Sequence, residues 1–241
     1  MKKTILNSIK KNLQGFMLAE LAIVLVIFGL LITAFLSPLN AQRELSERRE
    51  TQGILVETKE ALIGYAVVSG HLPCPDADPI PNGIEDRKAD GSCQIDEGTL
   101  PWNTLGIEPT DSWSRYLRYR ADTTFSNSNI KFSISNATGA SNIQIIGENN
   151  LLLVSGSSRP AAVVVSFGSN GYGGINTNQL PALNTTPAPK GADEIENADK
   201  DVTFVSHVPT PLGSVNEFDD MLIWISPKVL ITKMVTAGRL P

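Results

Sequence analysis

The chain has 241 residues, 20 of them basic and 25 acidic, which leaves room for one globular domain of ordinary size beside an anchoring segment. Four of the basic residues lie among the first 15, so the remainder has a net charge of about −9, which argues against a nucleic-acid-binding surface. Only 6% of the residues are aromatic, whereas glycine and proline number 19 and 15, a composition that favours a loop-rich β domain.

An apolar run of 24 residues, 16–39, follows this basic start and contains one ionisable side chain, Glu20. As a helix it would be about 36 Å long, enough to cross a hydrocarbon layer of about 30 Å. The lysines in front favour a cytoplasmic N-terminus. The sequence therefore predicts a single transmembrane span, with the rest of the chain on the outer side of the membrane.

Glu20 and Gly15 are the candidate functional residues of this segment. A carboxylate inside a bilayer is costly unless it is neutralised or paired, so Glu20 is a candidate functional residue. Gly15 is a natural cleavage point, and cleavage there would create a new α-amino group on Phe16. The Glu20 carboxylate of one subunit could then pair with the α-amino group of a neighbouring subunit, cancelling two charges that lipid penalises separately.

The basic leader, the motif Gly-Phe-x-x-x-Glu-Leu and some twenty apolar residues resemble the N-terminal signal of type IV pilins and type II secretion pseudopilins. The resemblance implies that a prepilin peptidase cleaves after Gly15 and methylates Phe16. It also implies that Glu20 is the assembly carboxylate through which like subunits join a filament. Two alternatives are an ordinary uncleaved anchor and a conventional secretory signal cut near Ala41, although Leu39-Asn40-Ala41 is a poor cleavage site.

Residues 40–70 are more polar but remain helical in pattern. Seven residues recur at steps of three and four and form one stripe: Ile54, Leu55, Thr58, Ala61, Leu62, Tyr65 and Ala66. The pattern predicts one long helix that ends near Ser69-Gly70, with its second half lying on a head of residues 71–241. Two helices hinged near Pro38 are the alternative.

The segment after this helix is rich in turn-forming residues and contains both cysteines. A disulfide between Cys74 and Cys93 is favoured over a zinc site, because no histidine pair lies nearby. Acidic residues from Asp76 to Asp86 have some of the alternation of a calcium loop, but the glycine comes late and prolines stiffen the middle. A solvated acidic loop is the favoured interpretation.

The segment from Asp111 to Arg120 is similar to the Asp-x-Trp-Gly-x-Pro-Tyr entry into the first strand of major pseudopilins, with Ser114 in place of the glycine and Tyr116 in place of the proline. Asp111 is expected to cap the turn and Trp113 to close over the sheet. Alternation then places Leu117 and Tyr119 inward and leaves two arginines on a solvated face. Further strands are predicted at 130–134, 142–146, 151–154, 161–167, 202–205 and 221–225, with 161–167 central in the sheet.

A short helix between Ser226 and Gly238 is expected to follow, burying Val229, Leu230 and Met234. The predicted fold is α+β and pilin-like: a long N-terminal helix on an antiparallel sheet, with a disulfide-closed loop and a long C-terminal loop at 168–200.

That C-terminal loop resembles the calcium-binding region of the same pseudopilins. The resemblance covers Val165–Gly171 and 194–201 and implies calcium ligands, which in this chain would be Asn170, Glu194, Glu196, Asp199 and Asp201. Asn170 replaces the family's aspartate, the intervening loop is longer, and Lys200 interrupts the acids. A solvated acidic loop is the alternative.

Catalytic motifs are not evident. The chain has two histidines, His71 and His207, and lacks the Gly-x-Ser-x-Gly spacing of a nucleophile elbow. Asp219 and Asp220, which precede a predicted strand, could form a coupled acid pair, but edge protection or a turn cap is the favoured interpretation. The favoured function is structural, that of a minor pilin or pseudopilin. The alternatives are an anchored binding or adhesion module and, third, a membrane-tethered hydrolase.

Overall fold

The structure, a computed structural model, describes residues 17–129, 133, 141–177, 187–211 and 213–240, with the backbone alone for 33–40. The predicted leader, with Gly15 and Phe16, and nearly all of the strand predicted at 130–134 lie outside these residues. The chain divides into two compact units, Met1–Leu45 and Ser46–Pro241.

Helix α1 covers Leu18–Ser69 as one element, so the prediction of a single long helix is confirmed for the described residues. It ends as predicted, because Gly70 adopts a left-handed conformation with φ of 84° that stops the helix. Within the described residues, no helix combines the length and the apolar character that a bilayer span requires.

The second half of α1, which lies in the unit Ser46–Pro241, buries the predicted stripe. Leu55, Thr58, Leu62 and Ala66 are almost completely buried, whereas Ile54, Ala61 and Tyr65 are half-buried. This unit is α+β: the helix packs against sheet strands, and further short helices complete the head. These are α2 (Trp102–Leu105), α3 (Thr123–Ser126), α4 (Ala192–Ala198) and α5 (Pro227–Thr236).

The strands of the described residues are short. Their bounds are β1 Glu97–Thr99, β2 Arg115–Tyr116, β3 Arg118–Ala121, β4 Gln144–Ile146, β5 Leu152–Val154, β6 Ala162–Ser166, β7 Ile175–Asn176, β8 Thr203–Val205 and β9 Met221–Ile225. One sheet is antiparallel throughout in the order β1-β3-β6-β9, and β2 pairs antiparallel with β7. A third sheet has the order β5-β4-β8, in which β4 and β8 run parallel.

Strand β6 separates two apolar cores, as its predicted central position requires. On one face, Ala162 and Val164 join the core with Leu62 of α1 and Leu230 of α5. On the other face, Val163 and Val165 pack with Phe204 of β8 and the residues around it. Both faces of β6 are buried because a helix layer covers one side and the third sheet covers the other.

Three predictions about side chains in this head were wrong. Arg118 and Arg120 are not on a solvated face: their side chains are only 12% and 10% exposed and form ion pairs with Glu97. The third sheet covers the face from which these arginines project, which the alternation within one strand does not reveal. In α5, Leu230 and Met234 are buried as predicted, but Val229 is 41% exposed.

The disulfide between Cys74 and Cys93 is present, as predicted, with the two Cα atoms 5.2 Å apart. The loop that it closes is tied to helix α1 through Glu85, whose carboxylate accepts hydrogen bonds from the Tyr65 hydroxyl at 2.8 Å and the Cys74 N–H at 2.9 Å. Arg87 forms an ion pair with the same carboxylate at 2.9 Å. The loop therefore has polar attachments to the second half of α1.

The turn before β2 forms around Asp111, as predicted. Its Oδ1 accepts hydrogen bonds from the N–H groups of Trp113 and Arg115, both at 3.0 Å. Ser114 lies between them with φ of 62°, a left-handed conformation that suits the glycine found there in the resembling pattern. The Trp113 indole donates a hydrogen bond to Glu47 of α1 at 2.9 Å, so this ring is attached to the helix.

Candidate functional site

The first part of helix α1 exposes apolar side chains on every side. From Ile23 to Phe28, six consecutive apolar residues are each at least 45% exposed, and Leu18 is 88% exposed. Six consecutive positions at about 100° per residue go more than once around a helix, so no face of this stretch is covered. Contiguous exposed apolar surface of this kind is typical of a helix that packs against lipid or another protein.

Glu20 is the acidic residue in the first turn of this helix. Its carboxylate accepts a hydrogen bond from the Met17 N–H at 3.1 Å and is exposed. The carboxylate therefore lies at the N-terminal end of the helix, where the unpaired N–H groups favour negative charge.

The second candidate site is a group of three buried acids in the head. Glu194 of α4 is 0% exposed, and Asp219 and Asp220, immediately before β9, are 2% and 4% exposed. One oxygen from each of the three carboxylates lies within 4.8 Å of the others. We call these three residues the buried acidic cluster. The interpretation of Asp219 and Asp220 as edge protection or a turn cap was therefore wrong, because both side chains are buried away from solvent.

Each carboxylate of the cluster is half-satisfied by the protein. Oε1 of Glu194 accepts a hydrogen bond from the Asn170 amide at 2.8 Å, and Oδ2 of Asp219 accepts one from the Asn170 N–H at 2.9 Å. Oδ2 of Asp220 accepts one from the Asn197 amide at 2.8 Å. The other oxygens, Oε2 of Glu194 and the Oδ1 atoms of both aspartates, are buried without a hydrogen-bond partner in the described structure.

Burial sets the electrostatics of the cluster. Desolvation raises the pKa of Asp220 well above its usual range, and the nearby Glu194 and Asp219 charges raise it further. Desolvation also raises the pKa of Glu194, again with a contribution from Asp219. Among the described residues, the ion pairs formed by lysine, arginine and histidine go to other acids. The cluster therefore places three carboxyl groups close together in a low-dielectric region, where burial favours the neutral forms of Glu194 and Asp220.

The loop from Gly168 to Asn170 lies directly against the cluster. Gly168 has φ of 56°, and a Cβ at this position would collide with Oδ1 of Asp219. The Oγ of Ser169 donates a hydrogen bond to Oδ2 of the same aspartate at 2.7 Å. Three chain segments therefore meet here: the loop from Gly168 to Asn170, helix α4 and the residues before β9.

The five calcium ligands that the family resemblance implies lie in two separate groups in the structure. Asn170 and Glu194 come together at the buried acidic cluster, whereas Glu196, Asp199 and Asp201 form a second acidic group at the surface. In that group, Asp199 accepts a hydrogen bond from the Asp201 N–H, and Asp201 accepts one from the Thr203 N–H. The five residues therefore do not fit one ion, and the surface group behaves as a series of turn-stabilising side chains.

A third acidic group, in the disulfide-closed loop, contrasts with the buried cluster. Asp76 is buried, although we expected a solvated loop, and its two oxygens accept backbone hydrogen bonds from Asp78, Asn82 and Gly83 at 2.6–2.9 Å. Asp86 accepts a hydrogen bond from the Ala77 N–H at 2.7 Å. Backbone donors thus satisfy these carboxylates, and their role is to hold the loop.

The two histidines contact other side chains of the head. Nε2 of His207 lies 3.0 Å from Oδ2 of Asp193, and its ring stacks on Phe218 with centroids 3.9 Å apart. Nδ1 of His71 lies 2.9 Å from a guanidinium nitrogen of Arg87.

Searches of protein-family models, curated proteins and solved structures found no match to this chain. The interpretation of the site therefore depends on its own residues. Sequence reasoning found Glu20, Asn170 and Glu194, but missed the importance of Asp219 and Asp220. One available signal was the adjacency of these two acids, which also permits a coupled acid pair.

Proposed function

We propose that this chain is a structural subunit, a minor pilin or pseudopilin, of a type IV pilus or a type II secretion-like filament. A prepilin peptidase would cleave it after Gly15 and methylate Phe16. The subunit would wait in the inner membrane, with its N-terminus cytoplasmic and its head periplasmic, and then join the filament through helix α1. Its partners would be like subunits, with the head exposed on the filament.

The observation that carries this proposal is the contrast within helix α1. From Ile23 to Phe28 the apolar side chains are exposed around the whole helix, while Leu55 and Leu62 are buried in the head. A helix that is apolar all round needs lipid or neighbouring helices around it. The membrane would supply lipid before assembly, and the filament would supply neighbouring helices afterwards. Weak helix contacts repeated along a filament add up to a stable polymer.

The head supports the same proposal with three further features. Its antiparallel sheet packs on the second half of the helix, and a disulfide closes the loop that follows. A disulfide suits a compartment outside the cytoplasm. Finally, the left-handed Ser114 occupies the glycine position of the resembling strand entry.

Mass spectrometry of the purified protein tests the processing step. From a host with a prepilin peptidase, we expect a chain that begins with N-methyl-Phe16. A Gly15→Val variant, made in the same host, should retain Met1, because the bulkier residue blocks cleavage. If the wild-type chain also retains Met1 while the host's own prepilins are processed, the proposal is wrong and the chain is an uncleaved anchor carrying a periplasmic binding module.

A further inference from the structure

We propose that an open cavity beside strand β1 binds one uncharged sugar unit, either a free hexose or the terminal hexose of a longer glycan. The cavity has a volume of about 230 Å³, and we call it the β1 cavity. The proposal concerns the head alone and goes beyond the filament function proposed above. It therefore holds or fails independently of peptidase processing.

Parts of the head that are distant in sequence form the walls of the β1 cavity. Asp78 comes from the disulfide-closed loop, Glu97 from β1 and Lys200 from the residues after α4. Phe167 and Ile175 provide apolar wall, which the C–H groups of a sugar ring would contact. A hexose occupies about six times the volume of one water molecule, or roughly 180 Å³, so the cavity has room for one unit.

The strongest indication of a ligand is a buried carboxylate oxygen without a hydrogen-bond partner. Glu97 lines the cavity, and its side chain is only 3% exposed. Its Oε2 accepts a hydrogen bond from Nη1 of Arg120 at 3.2 Å, whereas Oε1 has no hydrogen-bond partner in the described structure. An unpaired buried acceptor costs free energy, so a ligand that donates a hydrogen bond to Oε1 would be stabilised there.

A proton on Glu97 does not take the place of such a donor. Burial raises the pKa of Glu97, and the charges of Arg118 and Arg120 oppose this rise. In the described structure, the ion pairs of both arginines are with Glu97. Protonation would therefore leave two largely buried guanidinium groups without an acidic partner, and the added O–H would itself need an acceptor.

The charges around the cavity favour an uncharged ligand. Three acidic and two basic side chains line it: Asp76, Asp78, Glu97, Arg118 and Lys200. Arg120, which is paired with Glu97, makes the two signs equal. Because two arginines already offset the charge of Glu97, an ammonium donor at Oε1 would bring a third positive charge close to them. A hydroxyl group donates the same hydrogen bond without adding charge.

The other polar groups of the cavity require a ligand that both donates and accepts. Lys200 is exposed and forms no ion pair among the described residues, and its ammonium group is only a donor. Arg118 donates to three backbone carbonyl groups and lies over the Phe167 ring, so it is a fixed part of the wall. Neighbouring sugar hydroxyls would donate to Glu97 and Asp78 and accept from Lys200.

Ligand-observed NMR titration tests the site on the full-length protein, in a detergent without a sugar headgroup. The probes are D-glucose, D-galactose, D-mannose and N-acetyl-D-glucosamine, and we expect at least one to bind with a Kd below about 5 mM. The amino and uronic-acid derivatives of that sugar should bind at least about fivefold more weakly, because each adds a charge. A methyl glycoside that binds as well as the free sugar identifies a glycan end as the source, and weaker binding identifies the free sugar.

Two variants test whether the sugar occupies the β1 cavity. Glu97→Gln should weaken binding at least about tenfold, because its amide nitrogen is not an acceptor. Lys200→Asn should weaken binding at least about fivefold through the loss of one charged donor. Without sugar, Lys200→Asn should melt like the wild type, because this side chain is exposed and asparagine tolerates its left-handed conformation, with φ of 66°.

Lys228→Asn is the matched control, at an exposed lysine of α5 that does not line the cavity. Its affinity for the sugar should stay within about twofold of the wild-type value. The proposal is overturned if no probe binds with a Kd below about 5 mM, or if Lys200→Asn and Lys228→Asn bind the sugar equally well. Tighter binding of a charged derivative than of its neutral sugar also overturns it.

Discussion

The two parts of helix α1 have opposite surroundings. In the stretch from Ile23 to Phe28 every side chain is exposed, whereas Leu55 and Leu62 of the later part are completely buried. The later part has its partner within the same chain, the sheet and helix α5. Within the described residues, the core of the head therefore uses the later part of this helix, and the stretch from Ile23 to Phe28 leaves its apolar side chains exposed.

The largest difference between the two parts should appear when a leucine is shortened in each. Leu62→Ala leaves a cavity in the head and should reduce the free energy of unfolding by about 2–5 kcal/mol. Leu25→Ala, the matched change at a position that is 63% exposed, should change it by less than about 0.5 kcal/mol.

Denaturant unfolding of the full-length protein, followed by tryptophan fluorescence, measures this contrast. All three tryptophans lie in the unit Ser46–Pro241, so the signal reports the head. If Leu25→Ala and Leu62→Ala reduced the free energy of unfolding equally, the conclusion that only the later part of helix α1 belongs to the folded core would be wrong.

The disulfide is expected to stabilise only the head, because it closes the loop that is attached to the later part of the helix. The two cysteines are 19 residues apart, and removing the link should cost about 3 kcal/mol by the loop-closure relation. We expect the double variant Cys74→Ser/Cys93→Ser to lose this amount in the same unfolding assay. A reductant should destabilise the wild type but not the double variant; a wild type that is insensitive to reduction would show that the loop is held by its other contacts.

Glu85 should give a smaller effect, of about 1 kcal/mol, that depends on pH. Burial by itself raises the pKa of this carboxyl group. The hydrogen bonds from Cys74 and Tyr65 and the charge of Arg87 outweigh burial, so the pKa lies below its ordinary value. A lowered pKa in the folded state stabilises the fold above the unfolded carboxyl pKa, and this contribution disappears as the pH falls through the folded value.

The stability difference between wild type and Glu85→Gln should therefore be present at pH 7 and decrease as the pH is lowered through the folded pKa of Glu85. Unfolding curves at a series of pH values measure it. Asp90→Asn, at an exposed carboxylate of the same loop, is a suitable control and should show a much smaller change. A difference between wild type and Glu85→Gln that grows toward acid pH would have the wrong sign for this account.

Local patterns predicted those parts of the fold that depend on neighbouring residues in the chain. The end of α1 at Gly70, the central position of β6 and the disulfide followed from a glycine, an apolar run and an isolated cysteine pair. Helix α4 was missed, because seven mostly polar residues inside a long loop are too few to show a helical period.

The candidate site was predicted only where a side chain's role is set locally. Glu20 stands out because it interrupts an apolar run. Arg118 and Asp220 were misjudged because their burial depends on the third sheet and on α4, which are distant in sequence. A strand pattern reports which side chains share a face, but it does not report what covers that face.

The most direct test of the account is the effect of Glu20→Ala on incorporation into filaments. Incorporation is measured as the fraction of the protein that sediments with filaments sheared from the producing cells, beside Glu57→Ala at an exposed position of the same helix. We expect Glu20→Ala to be cleaved normally but incorporated at less than about a tenth of the wild-type level, because its neighbour's α-amino group loses its partner. Glu57→Ala should be incorporated like the wild type. Full incorporation of Glu20→Ala would contradict the account.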